Sequence, residues 1–225
     1  YCAGLGRRTG KTLVNLPPLD ISHFAKVIPD CSLQETLGIK PNDSVITYLG
    51  TFFHFSGLDV VIREFAGLTE KHPTAKLLLI GGGEQDQELR ELVNQLKLEG
   101  RVIFTGFIPY AKLSGYLGLT TVAINPMRPG MVSHTAFPHK VIQYMASGLS
   151  VVTTKIDGLY KTFGDVSGLT WSAGSEGLIS QALALAENKA KCDENSRLQL
   201  ETVSGMFGVD SAVDAFEATI RSATK

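Results

Sequence analysis

Phe137-Pro138-His139-Lys140-Val141-Ile142-Gln143-Tyr144-Met145-Ala146-Ser147-Gly148-Leu149-Ser150-Val151-Val152 reads as a turn, a helix and a buried strand. Pro138 suits the first turn of a helix, where a missing N–H is no loss. Val141, Ile142 and Met145 form one apolar face, and Gly148 supplies the left-handed cap that ends such a helix. The β-branched run at residues 150–154 follows at once. A helix feeding directly into a strand with no polar alternation is the second half of a unit whose strands are parallel and covered on both faces.

The same alternation extends outward from this segment. Short aliphatic or β-branched runs lie at residues 45–49, 77–80, 102–105 and 121–124. Between them Leu58, Val61, Ile62, Phe65 and Leu68 share one helical face, as do Leu89, Leu92, Val93 and Leu96. The pattern predicts an α/β fold with a doubly wound, Rossmann-like parallel sheet. Further helices are expected over residues 177–188, 193–203 and 209–220, whereas residues 1–44 are rich in proline and turn formers. Three strands run into glycine, at Gly50, at Gly81-Gly82-Gly83 and at Gly106. In open α/β sheets the ligand crevice lies outside those carboxyl ends.

Composition removes several function classes. With 21 basic against 22 acidic residues the net charge is −1, so no basic field marks a nucleic-acid binder. No apolar run is long enough to cross a bilayer. Cys2, Cys31 and Cys192 are an odd, widely spaced set, which argues against a disulfide framework or a zinc site. His134 and His139 lie five apart across Pro138, a poor spacing for a metal. The start of the chain has no signal-peptide pattern, so a cytoplasmic location is expected.

Two glycine-rich segments resemble phosphate loops and fail. Gly4-Leu5-Gly6-Arg7-Arg8-Thr9-Gly10-Lys11-Thr12 carries Leu5 where a P-loop needs its first glycine, and Gly6 and Gly10 are four apart where a dinucleotide fingerprint needs three. Gly81-Gly82-Gly83-Glu84 lacks the full fingerprint and a ribose-binding acid, which disfavours a nicotinamide dehydrogenase. The segment from Phe137 has better chemistry. The open N–H groups of its helix attract an anion, Lys140 adds a compact charge, and Gln143, one turn on, suits hydroxyls.

This segment resembles the donor-site helix of glycosyltransferase family 4 and related retaining enzymes with the GT-B fold. One branch of that family reads Pro-x-Lys-x-x-Glu-Tyr-x-Ala-x-Gly-x-Pro-Val-Val, matched here at Pro138, Lys140, Tyr144, Ala146, Gly148, Val151 and Val152. Tyr48-Leu49-Gly50-Thr51 with Ser56-Gly57-Leu58-Asp59, the stretch 75–84, and Arg101-Val102-Ile103-Phe104-Thr105-Gly106-Phe107-Ile108-Pro109 resemble three further family segments in the expected order. The stretch 17–24 is similar to the inter-domain linker.

The resemblance implies the C-terminal half of a GT-B fold with extra C-terminal helices. Residues 1–24 would be an extension and linker, 25–205 the donor-binding domain, and 206–225 a helix returning to an N-terminal acceptor-binding domain. That domain is expected before Tyr1, and any association with a membrane surface would fall to it. The apolar face of the last helix (Val209, Val213, Phe216, Ile220) would then be partly uncovered. The implied function is transfer of a sugar from a nucleotide diphosphate sugar to a polysaccharide, lipid-linked or small acceptor, with no cofactor, no metal and no nucleic acid. Phosphate contacts would come from Phe137, Pro138, His139, Lys140, Gly50 and Thr51, base and ribose contacts from Gly106, Phe107, Ile108 and Gln143, and donor-sugar contacts from His134 and Thr135.

This chain also departs from the family. The two family glutamates, eight apart, are Thr135 and Gln143 here, and Thr51 and Ser56 replace frequent basic residues. Phosphate charge would rest on Lys140, with Arg128 or His134 as helpers. These departures keep open a degenerate transferase-like domain that binds nucleotide weakly or serves in assembly. A nucleotide-sugar 2-epimerase shares the fold but would need an acid/base set that the sequence does not offer.

Overall fold

The computed structural model describes residues 19–24, 29–130, 132, 136–165 and 168–223. The apolar runs become six strands: β1 (Ser44–Leu49), β2 (Ala75–Ile80), β3 (Val102–Gly106), β4 (Val122–Asn125), β5 (Ser150–Thr154) and β6 (Thr170–Ser172). They form one sheet in the order β3-β2-β1-β4-β5-β6, and every pairing is parallel. After β3 the chain returns to the far side of β1. The strand order therefore reverses between β1 and β4, which opens a crevice at their carboxyl ends.

The helices are α1 (Ile21–Phe24), α2 (Cys31–Thr36), α3 (Leu58–Leu68), α4 (Asp86–Gln95), α5 (Leu113–Leu117), α6 (His139–Ala146), α7 (Asp157–Phe163), α8 (Leu178–Glu187), α9 (Lys189–Phe207) and α10 (Val209–Ala223). On one face of the sheet Leu58, Val61, Ile62 and Phe65 of α3, Leu89 and Leu92 of α4, and Leu178 and Ile179 of α8 pack on Ile46, Leu77, Leu79 and Ile124. On the other, Val141, Ile142 and Met145 of α6, Leu159 of α7 and Val203 and Phe207 of α9 pack on Ala123 and Val151. Alternate residues of β2 serve opposite faces, Leu77 and Leu79 one side and Leu78 and Ile80 the other. This is why the strands read as unbroken apolar runs.

The end of α6 follows the pattern anticipated from Gly148. That glycine has φ 67°, its N–H bonds to Met145 O at 3.0 Å, and Leu149 N–H reaches back to Tyr144 O at 3.1 Å. α9 is longer than the expected 193–203. It starts where the Asn188 side chain accepts from Lys191 N at 3.1 Å, a cap that apolar periodicity does not register. The expected strands fall within a residue or two of the observed ones, but β6 has only three residues and shows no period to read.

Candidate functional site

The strand ends β1, β2 and β3 are laced together by glycine backbone. Gly50 N donates to Ile80 O (2.9 Å), Gly81 N to Gly106 O (3.0 Å) and Phe52 N to Gly82 O (2.9 Å). Gly81 has φ 128°, and a Cβ there would collide with Gly50 O, so only glycine lets these two turns touch. Phe107, three-quarters exposed, lays its ring beside Gly82. Gly106, Phe107 and half-buried Ile108 thus form one wall of the same carboxyl edge that carries Gly50 and Thr51.

At the β1/β4 switch point lies a cavity of about 270 Å³. Phe53, Phe55, Met127 and Phe137 give it an apolar wall; Tyr48, Thr51, Ser56 and Lys140 give it polar groups. A larger depression of about 510 Å³ lies between α2 and the stretch from the turn before α5 into α5, and holds none of the predicted residues.

Lys140 sits on the first turn of α6 with its Nζ 3.9 Å from the centre of the Tyr48 ring. A Cβ on Gly50 would stand 2.9 Å from that Nζ, so the strand end and the ammonium are packed together. Burial pulls the Lys140 pKa down to about 7. Pro138 occupies the N-cap with φ −67°, one residue before the first turn predicted for it, and no side chain caps the helix. By helix geometry the N–H groups of His139 and Lys140 are left open at its mouth. His139 is exposed there and Gln143 is half-buried one turn on.

The Tyr48 hydroxyl, which burial pushes up to about 12, donates to Ser56 Oγ at 3.0 Å, and Ser56 Oγ in turn donates to Thr51 O at 3.2 Å. This chain of bonds shapes the loop after β1. Phe53 and Phe55 stack at 5.0 Å beside it.

Arg128 does not serve the cavity as expected. Its guanidinium pairs with Asp59 on the first turn of α3, and its backbone N–H donates to Phe55 O at 2.8 Å. Desolvation alone would raise the Asp59 carboxyl, but the hydrogen bond and charge of Arg128 hold it below the ordinary value. His134 and Thr135, the expected donor-sugar residues, lie outside the described residues. Lys140 is thus the cation of the cavity among the described residues. Sequence reasoning gave Tyr48 and Tyr144 no role: a tyrosine near a strand end or on a buried helix face looks like core until its hydroxyl partner is seen. Among the described residues no group of His, Cys, Asp and Glu is arranged to hold a metal, and no helix is long and apolar enough to cross a membrane.

Residues 32–199 match the family described as glycosyl transferases group 1, and the chain belongs to that family. It is 24% identical over 234 residues to the 2-deoxystreptamine N-acetyl-D-glucosaminyltransferase of Streptomyces fradiae, a match covering 95% of this chain and 53% of that protein. It is 23% identical over 187 residues to the N-acetyl-alpha-D-glucosaminyl L-malate synthase of Bacillus anthracis, covering 82% and 47%. The chain therefore spans about half the length of these curated relatives. Its fold matches HepE of Anabaena, solved with UDP and glucose, at a TM-score of 0.80 and 20% identity over 98% of this chain and 59% of that one. It also matches the C-terminal domain of the glycosyl transferase group 1 protein LpcC of Francisella tularensis, at a TM-score of 0.69 and 16% identity over 85% and 99%. The architecture is that of the C-terminal domain of a GT-B glycosyltransferase.

Proposed function

We propose that this chain is the donor-binding part of a glycosyltransferase that moves a sugar from a nucleotide diphosphate sugar to an acceptor. The observation that carries the reading is the placement of Lys140 Nζ against Gly50, at the switch point where α/β sheets bind ligands. The diphosphate would lie between Gly50, Thr51 and the N-terminus of α6, its charge met by Lys140 and the helix N–H groups. The base would lie along Gly106, Phe107 and Ile108, and Gln143 would bond the ribose. These groups make transfer easier by positioning the donor and stabilising the departing diphosphate, not by proton transfer from a side chain. No metal or cofactor enters this scheme.

The acceptor-binding domain is assigned to the N-terminal half of the same protein. The exposed face of α10, with Val209, Val213 and Phe216, is a surface suited to meet it. The linker up to residue 24, the donor domain to 205 and the returning helix complete the proposed organisation, working in the cytoplasm.

Calorimetric titration of the chain with UDP, GDP and their sugars tests the reading. Binding of one nucleotide at micromolar to low millimolar concentration is expected; no binding of any at millimolar concentration would remove it. The diversion of Arg128 to Asp59 favours a second reading, donor binding without turnover. Sugar transfer by the full-length protein from the nucleotide sugar that binds would decide against that alternative.

A further inference from the structure

Among the described residues Lys140 makes no ion pair with a carboxylate, and burial alone accounts for its lowered pKa. Among the described residues, what faces it is uncharged. Tyr48 approaches from β1, Thr51 and Ser56 from the loop after it, Met127 from the loop after β4, and Phe137 from the approach to α6. Tyr144 stands one turn along α6, its hydroxyl held well above the ordinary tyrosine range by burial. Burial pushes the Tyr48 phenol up to about 12, so it stays neutral wherever Lys140 changes charge. Tyr48 therefore acts on Lys140 through the face of its ring.

The choice of ring over carboxylate has a consequence for anion binding. A carboxylate in direct contact with the Lys140 ammonium, where the Tyr48 ring stands, would cancel its charge and compete with a phosphate for its protons. A ring quadrupole attracts an ammonium without bringing a net charge. In a cavity where Lys140 is the cation among the described residues, this leaves its whole charge to the ligand. The seat is also fixed, since Tyr48 is 1% exposed and its hydroxyl is anchored on Ser56 Oγ at 3.0 Å.

We propose, building on the donor-binding reading above, that Tyr48 is the positioning residue of the site: its ring face seats the Lys140 ammonium beside Gly50, in place of a carboxylate, so that the full charge meets the donor diphosphate.

The test follows Lys140 in the 225-residue chain labelled with 13Cε-lysine, its resonance assigned with Lys140→Arg, over a pH titration by NMR. UDP and GDP titrations run in parallel. Tyr48→Leu removes the ring and should lower the Lys140 midpoint by about one pH unit and weaken nucleotide binding about tenfold. Tyr48→Phe keeps the ring and should restore both. An unchanged midpoint in Tyr48→Leu, or equal shifts in Tyr48→Leu and Tyr48→Phe, would overturn the proposal. If Tyr48→Leu does not fold, replacing Tyr48 by 3,4,5-trifluorophenylalanine withdraws density from a ring of similar shape; a midpoint no lower than that of Tyr48→Phe then overturns it. If the unaltered chain binds neither nucleotide, the donor-binding reading falls, and the NMR midpoints still decide whether the ring seats Lys140.

Discussion

The phenolic oxygen of Tyr144 accepts a hydrogen bond from the backbone N–H of Leu49 at 2.7 Å, across a sequence separation of 95 residues. Leu49 is the last residue of β1 and precedes Gly50; Tyr144 is one turn after Lys140 on α6 and is fully buried. The bond therefore ties the helix that carries the ammonium to the strand end against which that ammonium packs. Tyr144→Phe would leave the Leu49 N–H without its partner and should destabilise the fold by about 1–3 kcal/mol, the usual cost of a stranded buried donor. Urea unfolding measures the loss, and faster exchange of the Leu49 amide would locate it. Unchanged stability would mean that the bond contributes nothing net.

Lys140 predicts a pH dependence with a definite sign. Its folded pKa of about 7 lies below the ordinary lysine value, so above pH 7 the unfolded chain holds a proton that the folded chain has lost. Stability should therefore rise with pH between about 7 and 10 relative to Lys140→Met, by about 1–2 kcal/mol given that the side chain keeps some contact with water. Nucleotide binding runs the other way. A diphosphate favours the ammonium, so binding above pH 7 takes up a proton and affinity falls by up to about tenfold per pH unit. Calorimetry in buffers of different ionisation enthalpy counts that proton. In Lys140→Ala the affinity should drop by about 1–3 kcal/mol, and the pH slope should vanish.

Arg128 gives a contrasting expectation. Because its guanidinium is committed to Asp59, Arg128→Leu should leave nucleotide affinity within about threefold while lowering stability by about 1 kcal/mol, as fits a partly exposed pair. The Asp59 carboxyl is held below its ordinary value, so the stabilisation is present at neutral pH and fades as acid protonates the folded carboxylate. Stability curves of both proteins from pH 7 to 3 should converge. A large loss of nucleotide affinity would instead return Arg128 to the phosphate site.

Much of this was legible in the sequence because short-range patterns carry it. Parallel strands buried on both faces show as apolar runs, and Gly148 announces the end of α6 through a conformation that glycine adopts most readily. The family resemblance, not local pattern, put Lys140 on the first turn of α6 and Gly50 at the end of β1 near one diphosphate; their contact is seen only in the fold. Pairings across the sheet were not legible. Asp59 and Arg128 are 69 residues apart, and nothing local marks the pair. Tyr48 reads as another apolar strand residue until its ring is found beneath an ammonium and its hydroxyl on Ser56. The three residues of β6 are too few to show a period, and Trp171 within it gave no signal of a strand.

Gln143 offers a gain of function. It stands where the family pattern has glutamate, on the α6 face one turn beyond the Lys140 turn, half-buried. A neutral amide accepts a ribose hydroxyl less strongly than a carboxylate does; the two kinds of hydrogen bond differ by about 1 kcal/mol. Gln143→Glu should therefore tighten binding of a nucleoside diphosphate about fivefold. The effect should disappear with a 2′,3′-dideoxyribose analogue, because the gain comes from the hydroxyls. It should also diminish below about pH 4, as the new carboxylate protonates. Weaker binding would mean that the new negative charge repels the diphosphate more than it attracts the ribose, which would place Gln143 nearer the phosphates than the sugar.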